Sequence, residues 1–249
     1  MTHLYPHHAD GFVFVTGNLL DTVSADMCEQ IANLRRQVQQ LSKKDVLVLD
    51  ETAIKLSEAP RCTLVLPGNK QYVVIESTSK YAPRYDMIAC IHFNGALTPM
   101  IVSPQMRKQA KSHGITLEML IRYITDTLAD EVGHLPIRHR SLIYDKAPIH
   151  SDKKVMAAFQ TSGVPLEHLV KLPTASSKRA SPLDNSLFHE WKDRVRDHVP
   201  LTLENIEQVM IDTWRETKIE SIRNYYHNCG FMRGQDPHFD CPDPTEHEH

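Results

Sequence analysis

Four consecutive apolar residues, Val46-Leu47-Val48-Leu49, run straight into Asp50-Glu51-Thr52, and no other stretch restricts the fold of this chain so strongly. A short apolar run with two β-branched members is the pattern of a strand buried on both faces, with a polar tip at the edge of the core. Ser141-Leu142-Ile143-Tyr144-Asp145 repeats the design and is followed by the turn residues Lys146-Ala147-Pro148. A third acid lies in Ser181-Pro182-Leu183-Asp184-Asn185, which reads as a helix start. Ser181 suits the cap, Pro182 the first helical position, and Asp184 the positive end of the helix dipole. Asp50, Asp145 and Asp184 are therefore expected to meet in space and hold divalent metal.

The remaining pattern is mixed α/β. Met27, Ile31, Leu34, Val38 and Leu41 line one stripe of a helix over 24–41, with Arg35, Arg36, Gln39 and Gln40 facing elsewhere. Short strands are expected at 61–67 and 71–76, and Phe12–Val15 could form another. Asn94-Gly95 should turn a hairpin between 85–93 and 97–102, with Pro99 at a strand end or on an edge. Helices are expected over 116–130 and 151–159, and a short strand over 169–172. After the linker 173–180 comes a helix with the stripe Leu183, Leu187, Trp191 and Val195, then helices over 203–214 and 219–229. A mixed sheet with helices packed on it satisfies this order. The expected division is an N-terminal segment 1–43, a catalytic domain 44–231 and a disordered acidic and His-rich tail 232–249.

Composition narrows the class. The chain has 249 residues, is 41% apolar and carries a net charge of −3, so it can bury a sizeable core and has no global basic field. Five widely spaced cysteines without a C-x-x-C suggest reduced thiols in an intracellular protein, and no apolar run approaches a membrane span. His227, Cys229, His238 and Cys241 are zinc-binding residue types, but their spacing matches no recognised finger.

Carboxylates arriving from two strand ends and one helix start suit Mg²⁺, which takes oxygen ligands and fills its shell with water and substrate phosphate. Two such ions would serve in-line phosphoryl displacement. Without ions, three clustered carboxylates raise one another's pKa.

The same stretches resemble the catalytic core of the DDE/D transposase superfamily, particularly its mariner and pogo-type elements. Asp50-Glu51-Thr52 resembles the D-E-T of the first acid, Asp145-Lys146-Ala147-Pro148-Ile149-His150 the D-N-A-P-x-H of the second, and Ser181-Pro182-Leu183-Asp184 the pogo-type Q-P-L-D of the third. Phe188 and Lys192 follow in similar company, and 38 residues separate Asp145 from Asp184. The resemblance implies a ribonuclease H-like mixed sheet flanked by helices, with extra C-terminal helices. It implies an Mg²⁺- or Mn²⁺-dependent endonuclease, two ions per site, that nicks DNA at transposon ends and joins the freed 3′ hydroxyl to target DNA.

On that resemblance the three Asp are catalytic metal ligands. Glu51, Lys146, His150 and Asn185 are their neighbours or phosphate contacts, and Arg107, Lys108, Lys153, Lys154, Lys178 and Arg179 are candidate DNA-backbone contacts. DNA is the implied partner, with homodimerisation open, no membrane and no organic cofactor; the implied location is intracellular, and nuclear in a eukaryote.

Three departures stand out. Lys146 replaces the usual Asn, placing a cation beside the second acid. Many mariner-like relatives carry the third acid further along, where this chain has Phe188, leaving Glu190 as a substitute for Asp184. Relatives carry helix-turn-helix recognition domains at the N-terminus, but only about 43 residues precede the first strand, fewer than the roughly 50 or more of a typical independent domain, so the chain is expected to be a fragment, a domesticated remnant or a subunit that borrows recognition. The alternative function is a non-catalytic DNA- or protein-binding remnant of a transposase; a ribonuclease acting on RNA or an RNA–DNA hybrid is the other enzyme reading.

Overall fold

The computed structural model describes residues 24–56, 82–173, 176–198 and 200–240. The expected strands at 61–67 and 71–76, the segment Phe12–Val15, and Cys241 lie outside these residues.

The apolar run at 46–49 opens β1 (Val46–Lys55), the middle strand of a mixed sheet. β2 (Arg84–His92) pairs antiparallel with all of β1 but Val46, from Leu47 opposite His92 to Lys55 opposite Arg84. β3 (Gly95–Ala96) and β4 (Met100–Val102) both pair antiparallel with β2. On the other side β5 (Ser141–Tyr144) runs parallel to β1, but only from Val46 opposite Ser141 to Val48 opposite Ile143. β6 (His168–Lys171) lies parallel beyond β5. Pro99 falls in the gap between β3 and β4, where its missing N–H interrupts no ladder.

The helices divide between the two faces of the sheet. They are α1 (Ala25–Gln40), α2 (Pro104–Gln109), α3 (Leu117–Tyr123), α4 (Ala129–His134), α5 (Asp152–Thr161), α6 (Ser177–Ala180), α7 (Phe188–Asp197), α8 (Ile206–Arg215) and α9 (Ile219–Asn228). Alternation along β1 sends Val46 and Val48 into a core shared with α1, α7, α8 and α9, and Leu47 and Leu49 into one shared with α3, α4 and α5. Leu183, Leu187, Trp191 and Val195 are all fully buried, as their four-residue spacing requires. Thr116 caps α3, its Oγ1 accepting from the Met119 N–H at 3.3 Å. A wide π turn, Ile124–Leu128, joins α3 to α4 and carries the helix on to His134. Among the described residues no helix is long and apolar enough to cross a membrane.

Several local expectations give way to packing. The Asn94-Gly95 turn is displaced by one residue: His92 pairs with Gly95, so Phe93 and Asn94 make the turn, and neither Asn94 nor Gly95 has a positive φ. Burial of Phe93 edge-on against Tyr226, ring centroids 5.7 Å apart, outweighs the dipeptide's own preference. Residues 177–180, read as linker, form the single helical turn α6. Met232 to Asp240, read as disordered tail, folds back on α1 around Arg35, which lies wholly buried rather than off the apolar stripe. Short-range patterning cannot reveal a contact spanning 205 residues, such as that between Arg35 and Asp240.

Arg107, one of the candidate DNA contacts, is engaged within the fold. It pairs with Asp86, which is 1% exposed and also held by Arg84 at 2.5 Å. Arg107→Met should cost about 1.5–3 kcal/mol in urea unfolding, the worth of a hydrogen bond to a charged group, and leave DNA affinity unaltered.

Candidate active site

Asp50 occupies β1 two residues beyond the last parallel pair, where β5 no longer covers that side of the strand. The strand itself runs on to Lys55, so Asp50 marks the end of the parallel pairing and not the strand's tip. Its residue is 5% exposed; Oδ1 accepts from the Glu51 N–H at 2.8 Å, and Oδ2 is buried with no hydrogen-bond partner. Burial pushes the Asp50 carboxyl well above the usual carboxylate range, and the charges of Asp184, Glu51 and Asp145 push it further. Asp184 and Asp145 thus both act on Asp50 through their charge.

Asp145 follows β5 directly and is organised by His150. Nδ1 of His150 donates to the Asp145 carbonyl at 3.1 Å and pairs with Asp145 Oδ1 at 2.6 Å, and Nε2 donates to Glu51 Oε1 at 2.8 Å. A carbonyl and two carboxylates can only accept, so both ring nitrogens carry protons and the ring is an imidazolium. Burial works against that charge, but the hydrogen bonds to Asp145 and Glu51 prevail and push His150 up to about 10. Reciprocally, the bond from His150 holds Asp145 below the usual carboxylate range, helped by the Ala147 N–H at 2.8 Å and the Lys171 charge. The imidazole stands edge-on to Tyr144 at 4.9 Å, and the Tyr144 hydroxyl donates to Asp152 at 2.7 Å. Lys171, which no sequence signal singled out, pairs with Asp152 at 2.8 Å and donates to the His150 carbonyl at 3.4 Å. Only the parallel pairing of β5 with β6 brings it there.

Asp184 lies in a second π turn, Leu183–Leu187, between α6 and α7. Ser181 Oγ accepts from the Asp184 N–H at 3.3 Å, the capping contact expected. Asn185 is beside it, its own N–H bonded to the Ser181 carbonyl at 2.8 Å. Glu190 is turned away: it accepts from the Tyr225 hydroxyl at 2.6 Å. Of the two, Asp184 and not Glu190 acts on the Asp50 carboxyl through its charge.

The donor set fits a hard divalent cation, because these are oxygen ligands and one of them is a buried carboxylate oxygen without a partner. Among the described residues, however, no three His, Cys, Asp or Glu side chains are already closed around one point, and Oδ1 of Asp145 is turned to His150. Lys146, Lys108, Lys153 and Lys154 are exposed, and Lys146 makes no ion pair with Asp145. Lys178 lies in α6, and Arg179 is held by Asp240. The zinc constellation does not form among the described residues: Cys229 is buried, which pushes its thiol up, while His227 and His238 are exposed.

Strand order, parallel β1–β5 pairing and helices on both faces define a ribonuclease H-like fold. Among solved structures the chain is similar to the catalytic domain of the Mos1 mariner transposase, with a TM-score of 0.57 at 12% identity over 91% of this chain and 93% of that one. It is also similar to the Mos1 transposase paired-end complex with the left transposon end (TM-score 0.63, 13% identity, 92% of this chain and 62% of that one). The Mos1 mariner paired-end complex with Mn gives 0.64 at 12%, over 92% and 63%. The chain thus spans about three-fifths of the transposase chains in those complexes. No family model matches the sequence, and no curated protein does.

Proposed function

We propose that this chain is a transposase-type catalytic domain that cleaves DNA phosphodiesters and joins the freed 3′ end to target DNA. Asp50, Asp145 and Asp184 would hold two Mg²⁺ or Mn²⁺ ions. The observation that carries the reading is the buried, unpartnered Oδ2 of Asp50, standing under the charges of Asp184 and Asp145 where β1 loses its parallel neighbour. Such a carboxylate is costly without a cation and favourable with one. The solved relatives were obtained with transposon ends, Mn and Mg, which supports the same choice of substrate and ion.

When bound, the two ions supply charge stabilisation to the attacking and leaving oxygens of an in-line displacement. The chain's own residues prepare the place. Asp50 presents Oδ2 from a rigid central strand, Asp145 keeps its second oxygen available because His150 holds the first, and Asp184 enters from the opposing turn. His150 uses both ring nitrogens inside the fold, so its role is to orient Asp145 and Glu51 and not to contact phosphate. Exposed Lys146, Lys108, Lys153 and Lys154, together with Lys178, remain for DNA phosphates.

The test is titration of the purified protein with Mn²⁺ and Mg²⁺, read by thermal unfolding and by cleavage of labelled duplex DNA. An Asp50→Asn/Asp184→Asn double variant is run alongside. Metal-dependent stabilisation and nicking, both lost in the double variant, are expected. A wild-type protein indifferent to both ions would overturn the reading in favour of a non-catalytic binding protein.

A further inference from the structure

Arg35 is a wholly buried charge that the proposed reaction does not use. Nε donates to the Cys229 carbonyl at 2.9 Å, and one terminal nitrogen donates to the Pro237 carbonyl at 2.9 Å and to Asp240 Oδ1 at 2.6 Å. The Phe239 ring covers the guanidinium at 4.4 Å. Gly230 leaves room for this: its φ is +74°, and a Cβ there would stand 2.7 Å from Arg35 Nε. A buried arginine is tolerable only with such partners, so the segment after α9 and α1 hold each other in place.

Asp240 has a second hold. Arg179 donates to its carbonyl at 2.9 Å and stands 3.6 Å from Oδ2. Arg179 belongs to α6, a single turn of four residues, which is too short to persist on helical hydrogen bonds alone. α6 leads directly into Ser181, whose hydroxyl takes the Asp184 N–H. A continuous path therefore runs from Arg35 through Asp240 and Arg179 to the turn bearing the third acid.

We propose that Asp240 is a positioning residue of the cleavage site, joining Arg35 to Arg179 and thereby fixing the turn that carries Asp184. This rests on the reading of Asp184 as a metal ligand, and it gives Arg179 a task inside the fold in place of DNA-backbone contact.

The measurement is the half-saturating Mn²⁺ concentration, read by thermal shift without DNA, for wild type, Arg179→Met, Arg179→Lys, Asp240→Asn and Asp184→Asn. DNA affinity in EDTA is measured as a function of salt for the same proteins. Arg179 is 30% exposed, so its variants should fold. Arg179→Met and Asp240→Asn should raise half-saturation about tenfold or more, the usual consequence of loosening the support of a metal ligand. Arg179→Lys, which keeps a donor for Asp240, should recover most of the loss, and DNA affinity in EDTA should not change. A lower melting temperature with unchanged half-saturation would reduce the contact to structure and overturn the proposal. So would unchanged half-saturation with weaker DNA binding and a salt slope shallower by about one, the signature of a lost phosphate contact. If Asp184→Asn responds to Mn²⁺ like wild type, the metal-ligand reading itself falls and takes the proposal with it.

Discussion

Asp50→Asn is expected to stabilise the protein in EDTA while abolishing its response to Mn²⁺, two changes of opposite sign from one isosteric substitution. In the absence of a cation the Asp50 carboxyl is buried, lacks a partner on Oδ2 and faces Asp184, Glu51 and Asp145. Removing its capacity to ionise relieves that repulsion. A gain on the order of 1 kcal/mol corresponds to about 2–4 °C in melting temperature for a chain of this size. Because the folded protein holds the Asp50 proton to higher pH than the unfolded chain does, stability in EDTA should fall as pH rises from about 4, the ordinary carboxylate value, through the raised value of Asp50. Asp50→Asn should flatten that slope. Nicking activity should drop about a thousandfold, since metal-ion charge stabilisation is worth several kcal/mol. Urea unfolding across pH 4–8 with and without Mn²⁺ decides the matter. A variant that is less stable in EDTA and still shifted by Mn²⁺ would contradict it.

His150→Phe should produce the largest loss of stability, about 3 kcal/mol at pH 6, because it leaves Glu51 and Asp145 without their shared imidazolium. The pH dependence has a definite sign. A histidine raised from about 6.5 to about 10 stabilises the fold fully below 6.5, and this contribution is lost as pH rises toward 10. The difference between wild type and variant should therefore shrink steadily between pH 6.5 and 10. Urea midpoints at pH 6, 8 and 10 measure it, and an equal difference at all three would exclude the charged bridge. Glu51→Gln keeps an acceptor for Nε2 and should show a weaker form of the same profile.

The elements that carry Asp50, Asp145 and Asp184 were legible because each announces its place locally. Val46 to Leu49 read as a doubly buried strand, which put Asp50 directly after its apolar run, although the strand continues to Lys55 and Asp50 itself is buried. Ser141 to Tyr144 placed Asp145 by the same logic, and the Ser181-Pro182 start placed Asp184 at the head of a helical segment. The resemblance named Glu51 and His150 as neighbours of the acids, but which charges they meet was not legible. Glu51 and His150 are 99 residues apart, and Lys171 reaches the site from a strand whose own sequence carries no sign of it. Arg107 and Arg179 look like any exposed cation in the sequence, yet each is committed to a carboxylate brought by distant chain, Asp86 and Asp240. The hairpin slipped by one residue for the same reason, as Phe93 answered to Tyr226 and not to the dipeptide after it.

Sequence by itself determined the alternation that assigns each side chain of β1 to a face, the stripe that buries α7, and the order in which three carboxylates reach the sheet. Those follow from periodicity and capping, which act over a few residues. Tertiary structure alone decided which charges meet: His150 between Asp145 and Glu51, Arg35 under the C-terminal segment, and Oδ2 of Asp50 left open. Ion pairing in a buried site depends on separation and solvent exclusion, and neither is defined until the layers have closed.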